Sequence, residues 1–278
     1  MSAPPSGGSA PRGASYPRGV IDLPRSARLA AWGTAVLRGE VPTSAAVRAV
    51  QRDDEPHTAA GDAPAADLAE LLEGWRAAGH RGLRVVLPVP GDVAGLPGPA
   101  SFNVEALDVG EAVLTDDEDG AGRRWGAWPD VTEFGSALEP GAMVAWHAEL
   151  VQRPAAPPST TLSDAERQLS RALEDALGAL HRLDVARWRE DAADRIARVR
   201  DGALPHDAVP PTTPPRAQRV LATAARLRGI VALAAEDDGA AVTGFEAAGR
   251  SEALRGVEAV ARHAVVAAVN AALEPVRS

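Results

Sequence analysis

The sequence contains no cysteine and no lysine, and each absence removes whole classes of chemistry. Without cysteine, the 278-residue chain cannot form disulfides, thiolate nucleophiles, iron–sulfur clusters or cysteine-ligated zinc sites. Without lysine, all 29 basic residues are arginine, which excludes a Schiff-base lysine, a pyridoxal-phosphate anchor and the lysine of a P-loop. The abundance of Ala, Arg, Gly and Pro is typical of a high-GC genome.

Long hydrophobic runs are also absent. No apolar segment approaches the roughly 18 residues that are needed to cross a bilayer. Residues 1–17 are rich in Pro, Gly and Ser and lack the apolar core of a secretory signal, so they predict a disordered tail. We therefore expect a cytoplasmic protein without a membrane partner.

Positive charge is scarce in the first half of the chain. Up to Leu162 there are 13 arginines against 21 acidic residues, a balance of −8, whereas the remainder has 16 against 17, a balance of −1. The two sum to the net charge of −9. An acidic first half repels a phosphate backbone, so nucleic acid is disfavoured as a partner.

The hydrophobic pattern predicts a mixed α/β domain over residues 18–152, a small sheet with flanking helices. Apolar residues at helical spacing predict helices after Pro24, over 44–51 and over 65–78. β-rich or alternating runs predict four strands, at 83–87, 111–115, 124–128 and 142–151.

The second half has a different period. Residues 153–162 form a proline-rich linker, and residues 163–278 predict an all-α helical bundle of four amphipathic helices, one of them over 185–199. Ser163 with Glu166, and Thr243 with Glu246, match the capping box that starts a helix.

The segment 88–103, PVPGDVAGLPGPASFN, is a candidate ligand loop because it directly follows a predicted strand. Asp92 and Asn103 are its polar residues. Its glycine spacing matches neither a dinucleotide-binding fingerprint nor a Walker A loop. The alternative is a rigid surface connection made by prolines and glycines.

A second candidate is the run DDEPH, in which Asp54 and His57 could transfer protons or ligate a cation. The alternative is an ordinary charged helix end. No second histidine stands at ligand spacing, so neither a metal nor a cofactor is predicted.

Single aromatic and acidic residues leave further alternatives open. His147 should lie on the opposite strand face from Trp146, as hydrogen-bonded structure. Trp125 and Trp128 could stack on a ligand or pack within a hairpin. Asp116–Asp119 resembles a solvated turn more than a cation site. Arg25 and Arg28 could bind an anion or pair with Asp22.

Two segments, IDLPRSARLAAW near the start and LPVPGDVAGLPGP after the first predicted strand, together with the Ala/Arg-rich second half, carry a family resemblance. In these the chain resembles a family of proteins from high-GC actinobacteria that has no assigned activity. The resemblance implies a bacterial cytosolic protein and transfers no catalytic residue.

These observations favour a non-enzymatic interaction or regulatory protein, which would bind a protein partner or a second copy through its helical half. The alternative is a small-molecule-binding protein or enzyme that uses loop 88–103, with Asp92, Asn103, Asp54 and His57 as its site residues. Whether the protein is an enzyme stays open, since no catalytic constellation is assembled in the sequence.

Overall fold

The computed structural model describes residues 21–116, 123–136, 139–154, 160–182, 202–236 and 244–273. The helices within these ranges are α1 (Arg25–Leu37), α2 (Thr43–Gln51), α3 (Leu68–Ala77), α4 (Ala100–Val109), α5 (Leu162–Arg182), α6 (Pro215–Glu236) and α7 (Gly244–Asn270), which continues into a 3-10 turn. The strands are β1 (Thr58–Gly61), β2 (Gly82–Val86), β3 (Ala112–Asp116), β4 (Arg124–Gly135) and β5 (Pro140–Val151).

The strands form one mixed sheet in the order β1-β5-β4-β3-β2. β1 runs parallel to β5, and the other neighbours are antiparallel. β4 and β5 pair along their whole length, from Arg124–Val151 to Gly135–Pro140. β3 pairs with β4 only at Val113–Ala127 and Leu114–Gly126, so the end of the hairpin extends past it. This confirms a mixed α/β first half and a helical C-terminus.

The inner face of the sheet is covered by α1, α3 and α7. Alternation along β5 places Val144, Trp146 and Ala148 in this core, as the sequence predicts. Gly33 allows α1 to approach the sheet closely, since a Cβ at that position would lie 2.4 Å from the Leu83 side chain.

Among the elements that the structure describes, only α4 covers the outer face. Phe102 packs edge-on against Trp128, with ring centroids 5.4 Å apart, and both belong to a small second core with Ala106 and Leu114. Gly126 provides the space for this contact, because a Cβ there would lie 2.4 Å from the Phe102 ring. Beyond α4, no described residue range covers the outer face of β4 and β5.

Side chains from two helices seal the free edge of β2. Asn270 on α7 accepts from the Val85 N–H (2.9 Å) and donates to the Val85 carbonyl (3.1 Å). Thr34 on α1 accepts from the Leu83 N–H at 2.9 Å. The C-terminal helix therefore completes the sheet of the first half, and one continuous apolar cluster includes residues of both halves.

Two elements and one cap differ from the sequence prediction. β1 was not predicted, because the run TAAG has almost no β-forming side chains. α4 was not predicted either: segment 88–103 was interpreted as loop throughout, but its last four residues are the first turn of this helix.

The predicted capping box of Ser163 and Glu166 is wrong. Thr161 caps α5, since its hydroxyl oxygen accepts from the Asp164 N–H at 3.2 Å. The predicted helix over 185–199, the turn at Asp117–Asp119 and the Thr243–Glu246 box lie outside the residues or side chains that the structure describes. No described helix is long and apolar enough to cross a membrane.

Candidate binding cleft

Asp54 and His57 come together in a buried polar cluster before β1. The Asp54 carboxylate accepts two hydrogen bonds from Arg25, at 2.8 and 3.0 Å, and lies 3.3 Å from Nε2 of His57. Trp146 donates its indole N–H to Nδ1 of His57 at 3.1 Å. Because Nδ1 accepts, Nε2 carries the proton and donates to Asp54. This histidine orientation is therefore fixed from both sides.

The surroundings of Asp54 decide its ionisation. Burial disfavours the charged carboxylate, but the hydrogen bonds from His57 and Arg25 outweigh burial and lower the pKa of Asp54 from 3.8 to about 2. His57 is only 1% exposed. The prediction that this pair acts on a ligand stays a prediction.

Asp92 and Asn103 each have a partner within the protein. The Asp92 carboxylate accepts from Arg262 at 2.7 Å and lies 2.6 Å from Nε2 of His263, both on α7. These hydrogen bonds outweigh a burial effect and lower the pKa of Asp92 to about 2. Asn103 accepts from the Gly98 N–H at 2.9 Å, which closes the loop onto α4.

The structure does not bring the two predicted groups together. Asp54 and His57 precede β1 and Asp92 follows β2, and these strands form opposite edges of the sheet. Four strand spacings of about 4.8 Å separate such edges by ~19 Å. A single pocket built from all four predicted residues is therefore not formed.

A different cleft lies on the outer face of the sheet, between α4 and the strands β4 and β5. Its volume is about 570 Å³. One wall is the exposed flank of α4 and the floor comes from the two strands, with the lining residues Ala100, Ser101, Val104, Glu105, Asp108, Val109, Trp128, Asp130, His147 and Glu149. Loop 88–103 contributes Ala100 and Ser101.

An aromatic stack forms the floor of the cleft. The rings of Trp128 and His147, cross-strand neighbours, lie 5.4 Å apart and within 14° of parallel. Phe102 supports the buried Trp128 from the side of α4. His147 is more exposed and lies 3.9 Å from the Asp130 carboxylate. The partly exposed His147 ring is therefore the aromatic surface of the cleft, next to a negative charge, while Trp128 lies buried beneath it.

The cleft is acidic. Glu105, Asp108, Asp130 and Glu149 line it, and no arginine is among the lining residues. Burial raises the pKa of Glu149, and the nearby carboxylates of Asp62 and Glu105 raise it further. A positive charge placed in the cleft would relieve this repulsion. The described residues contain no group of three or more His, Asp or Glu side chains arranged to hold a metal ion.

Sequence reasoning found part of this cleft. It placed His147 opposite Trp146 and considered Trp128 as a stacking residue, but could not pair the two rings because the predicted strand ended at Trp128. Asp130 and Glu149 had no signal of their own. The acidic wall on α4 was missed together with the helix.

The fold and the cleft define a class of protein with a mixed five-stranded sheet, a helical C-terminal half packed onto it, and an open acidic cleft with an aromatic floor. The chain belongs to the Rv1486c-like family. Residues 26–161 match the family model described as "Rv1486c-like protein, N-terminal domain", and residues 163–266 match "Rv1486c-like protein, C-terminal domain".

Relatives occur in mycobacteria, which confirms the resemblance to an actinobacterial family without assigned activity. The chain is 34% identical over 230 residues to "Uncharacterized protein Rv1486c" of Mycobacterium tuberculosis, covering 75% of this chain and 78% of the relative. It is 30% identical over 214 residues to "Uncharacterized protein ML1804" of Mycobacterium leprae, covering 69% and 68%. No solved structure matches the chain.

Proposed function

We propose that this chain is a non-enzymatic interaction protein that binds a partner on the open part of its outer sheet face. The observation that carries the proposal is a set of large exposed apolar side chains, one at the cleft and two further along the hairpin on the same face. Val104 on α4 is 62% exposed, Met143 on β5 is 51% exposed and Phe134 on β4 is 45% exposed. We call these three residues and the cleft the docking face.

The register of the hairpin supports one continuous surface. The pairs Trp128–His147, Asp130–Ala145, Thr132–Met143 and Phe134–Gly141 follow one another on the outer side. The six residue-to-residue steps from Trp128 to Phe134 span ~20 Å of strand, a length that suits a segment of a partner protein. Contiguous exposed apolar residues beside polar ones are typical of interaction sites.

The proposal can be tested by adding a charge to the docking face. Binding partners retained on immobilised wild-type protein are compared with those retained on Met143→Glu and on the control Val93→Glu, another exposed apolar residue, in the loop after β2. We expect one partner to be lost with Met143→Glu alone, and to bind directly when purified. Equal retention on all three proteins contradicts the proposal.

A second candidate function is the binding of a small molecule, as the sequence predicted for loop 88–103. The observation that favours it is the position of Ala100 and Ser101, through which this loop forms one end of the cleft. A thermal-shift screen of organic amines and anions tests it. A ligand at 100 times its dissociation constant stabilises the fold by about 2.7 kcal/mol, which a melting curve resolves.

We also propose the finer organisation of the chain that the sequence predicts. The helices of residues 163–278 would form a bundle, joined by the linker 153–162 to the domain of residues 18–152, in a cytoplasmic protein. Packing of α5 against α6 and α7 supports the bundle. Binding of a partner or a second copy through the helical half stays a prediction, since side chains 175–182 and 244–251 lie outside the described part.

A further inference from the structure

Resting on the proposed function, we infer that the partner of the docking face is a protein segment that inserts an arginine side chain into the cleft, onto the partly exposed His147 ring of the aromatic stack. A partner could bind the docking face without such an arginine, so the arginine is a separate feature of the partner.

The negative charge of the cleft favours a cationic side chain as its ligand. Carboxylates reach the cleft from three elements, with Glu105 on α4, Asp130 on β4 and Glu149 on β5, and no arginine among the lining residues neutralises them. The destabilised carboxylate of Glu149 adds to this preference, because a nearby cation favours its ionised form. An anionic anchor would be repelled by these carboxylates, and a purely apolar anchor would gain no attraction from them.

The arrangement of these groups selects a flat cation. On the sheet, Glu149 lies two residues beyond His147 and Asp130 lies two residues beyond Trp128, so the two carboxylates stand on opposite sides of the stack. The cross-strand pair that contains Glu149, Gly126–Glu149, and the pair that contains Asp130, Asp130–Ala145, are four residues apart, or ~14 Å along the strands. A guanidinium lying on the exposed His147 ring can donate in its own plane towards both sides, whereas an ammonium is a compact point charge.

The surroundings of the cleft select a side chain of a protein over a free small molecule. Val104 borders the cleft from α4, and Met143 and Phe134 follow on the same face of the hairpin. The methylene groups of an arginine can cover Val104, and the neighbouring residues of its segment can cover Met143 and Phe134. A small amine that fills the cleft alone would leave this apolar surface exposed.

The test uses four probes and the full-length chain. The probes are a short peptide with a single central arginine between leucines, the same peptide with lysine, the same peptide with citrulline, and free arginine methyl ester. Citrulline keeps the shape of arginine without its charge. Binding is followed by two-dimensional NMR, which detects dissociation constants in the millimolar range.

We expect the arginine peptide to bind more tightly than the lysine peptide and free arginine methyl ester, and the citrulline peptide to bind most weakly. Glu149→Gln should weaken binding of the arginine peptide by about fivefold, as expected for one partly exposed ion pair. Glu133→Gln is the matched control, because Glu133 is an exposed acid of β4 on the other side of the strand.

Three results would overturn the inference. They are equal binding of the arginine and citrulline peptides, unchanged binding to Glu149→Gln, and no binding at millimolar peptide. If Met143→Glu still abolishes capture of a partner in any of these cases, the proposal of a docking face is retained and only the arginine anchor is rejected. Concentration-dependent self-association that Glu149→Gln abolishes would identify a second copy as the occupant and contradict a separate partner protein.

Discussion

The two faces of the sheet differ in how completely they are covered. The inner face is buried beneath α1, α3 and α7, and its central Trp146 donates a hydrogen bond to His57, while Asn270 of α7 binds Val85 at the edge of β2. The outer face has one helix among the described elements, and beyond it the apolar side chains of Met143 and Phe134 are exposed. Strand β5 contributes to both faces by alternation, so neighbouring residues have different roles.

The largest effect on stability should come from the inner face. Trp146→Ala removes a fully buried side chain and its hydrogen bond to His57, and should lower the free energy of unfolding by about 3–5 kcal/mol. Met143→Ala, three residues away on the outer face, should change it by less than about 0.5 kcal/mol. Chemical denaturation measures both. Similar losses of unfolding free energy in the two variants would contradict the difference in burial between the two faces.

The sealed edge of β2 comes next. Asn270→Leu keeps the approximate size of the side chain but leaves the buried N–H and carbonyl of Val85 without these two partners. We expect a loss of about 2 kcal/mol in the free energy of unfolding. Hydrogen exchange at Val85 should accelerate in this variant. Unchanged protection would mean that α7 does not hold this edge.

Acid should weaken the buried cluster next to β1. The pKa of Asp54 is lowered in the folded protein, so its contribution is complete above the unfolded pKa of about 4 and disappears as pH falls towards 2. The difference corresponds to about 2 kcal/mol. Asp54→Asn should be less stable near neutral pH and should lose less stability between pH 4 and 2. Parallel acid curves for the two proteins would contradict this assignment.

Substitutions on the outer face should have the smallest effect on the free energy of unfolding. Met143→Glu and Glu149→Gln should unfold within about 0.5 kcal/mol of the wild type while they weaken binding. Circular dichroism during heating, run beside the binding measurements, checks this. A variant that does not bind because it is unfolded would lack the wild-type circular dichroism spectrum and its thermal transition.

Local patterns predicted much of the fold. Alternation in β5 separated Trp146 from His147, and helical spacing located α1, α3, α6 and α7. Local patterns failed where an element has weak propensity, as in the four-residue β1, or where proline and glycine precede a helix, as in α4. Because the cleft needs α4, its acidic wall could not be predicted.

The contacts that join distant segments could not be predicted from the sequence either. Asn270 lies 185 residues from Val85, and Arg262 lies 170 residues from Asp92. No local spacing records such a pair. Asp92 was therefore predicted as a ligand residue, and its partners on α7, Arg262 and His263, were not identified.

Two tryptophans give the most direct test of the difference between the faces. Trp128 lies beneath the cleft and Trp146 lies in the inner core, so their indole N–H signals report on one face each. On titration with the arginine peptide, the account predicts that the Trp128 signal moves and the Trp146 signal does not. Movement of Trp146 alone, or of neither signal while the peptide binds, would contradict it.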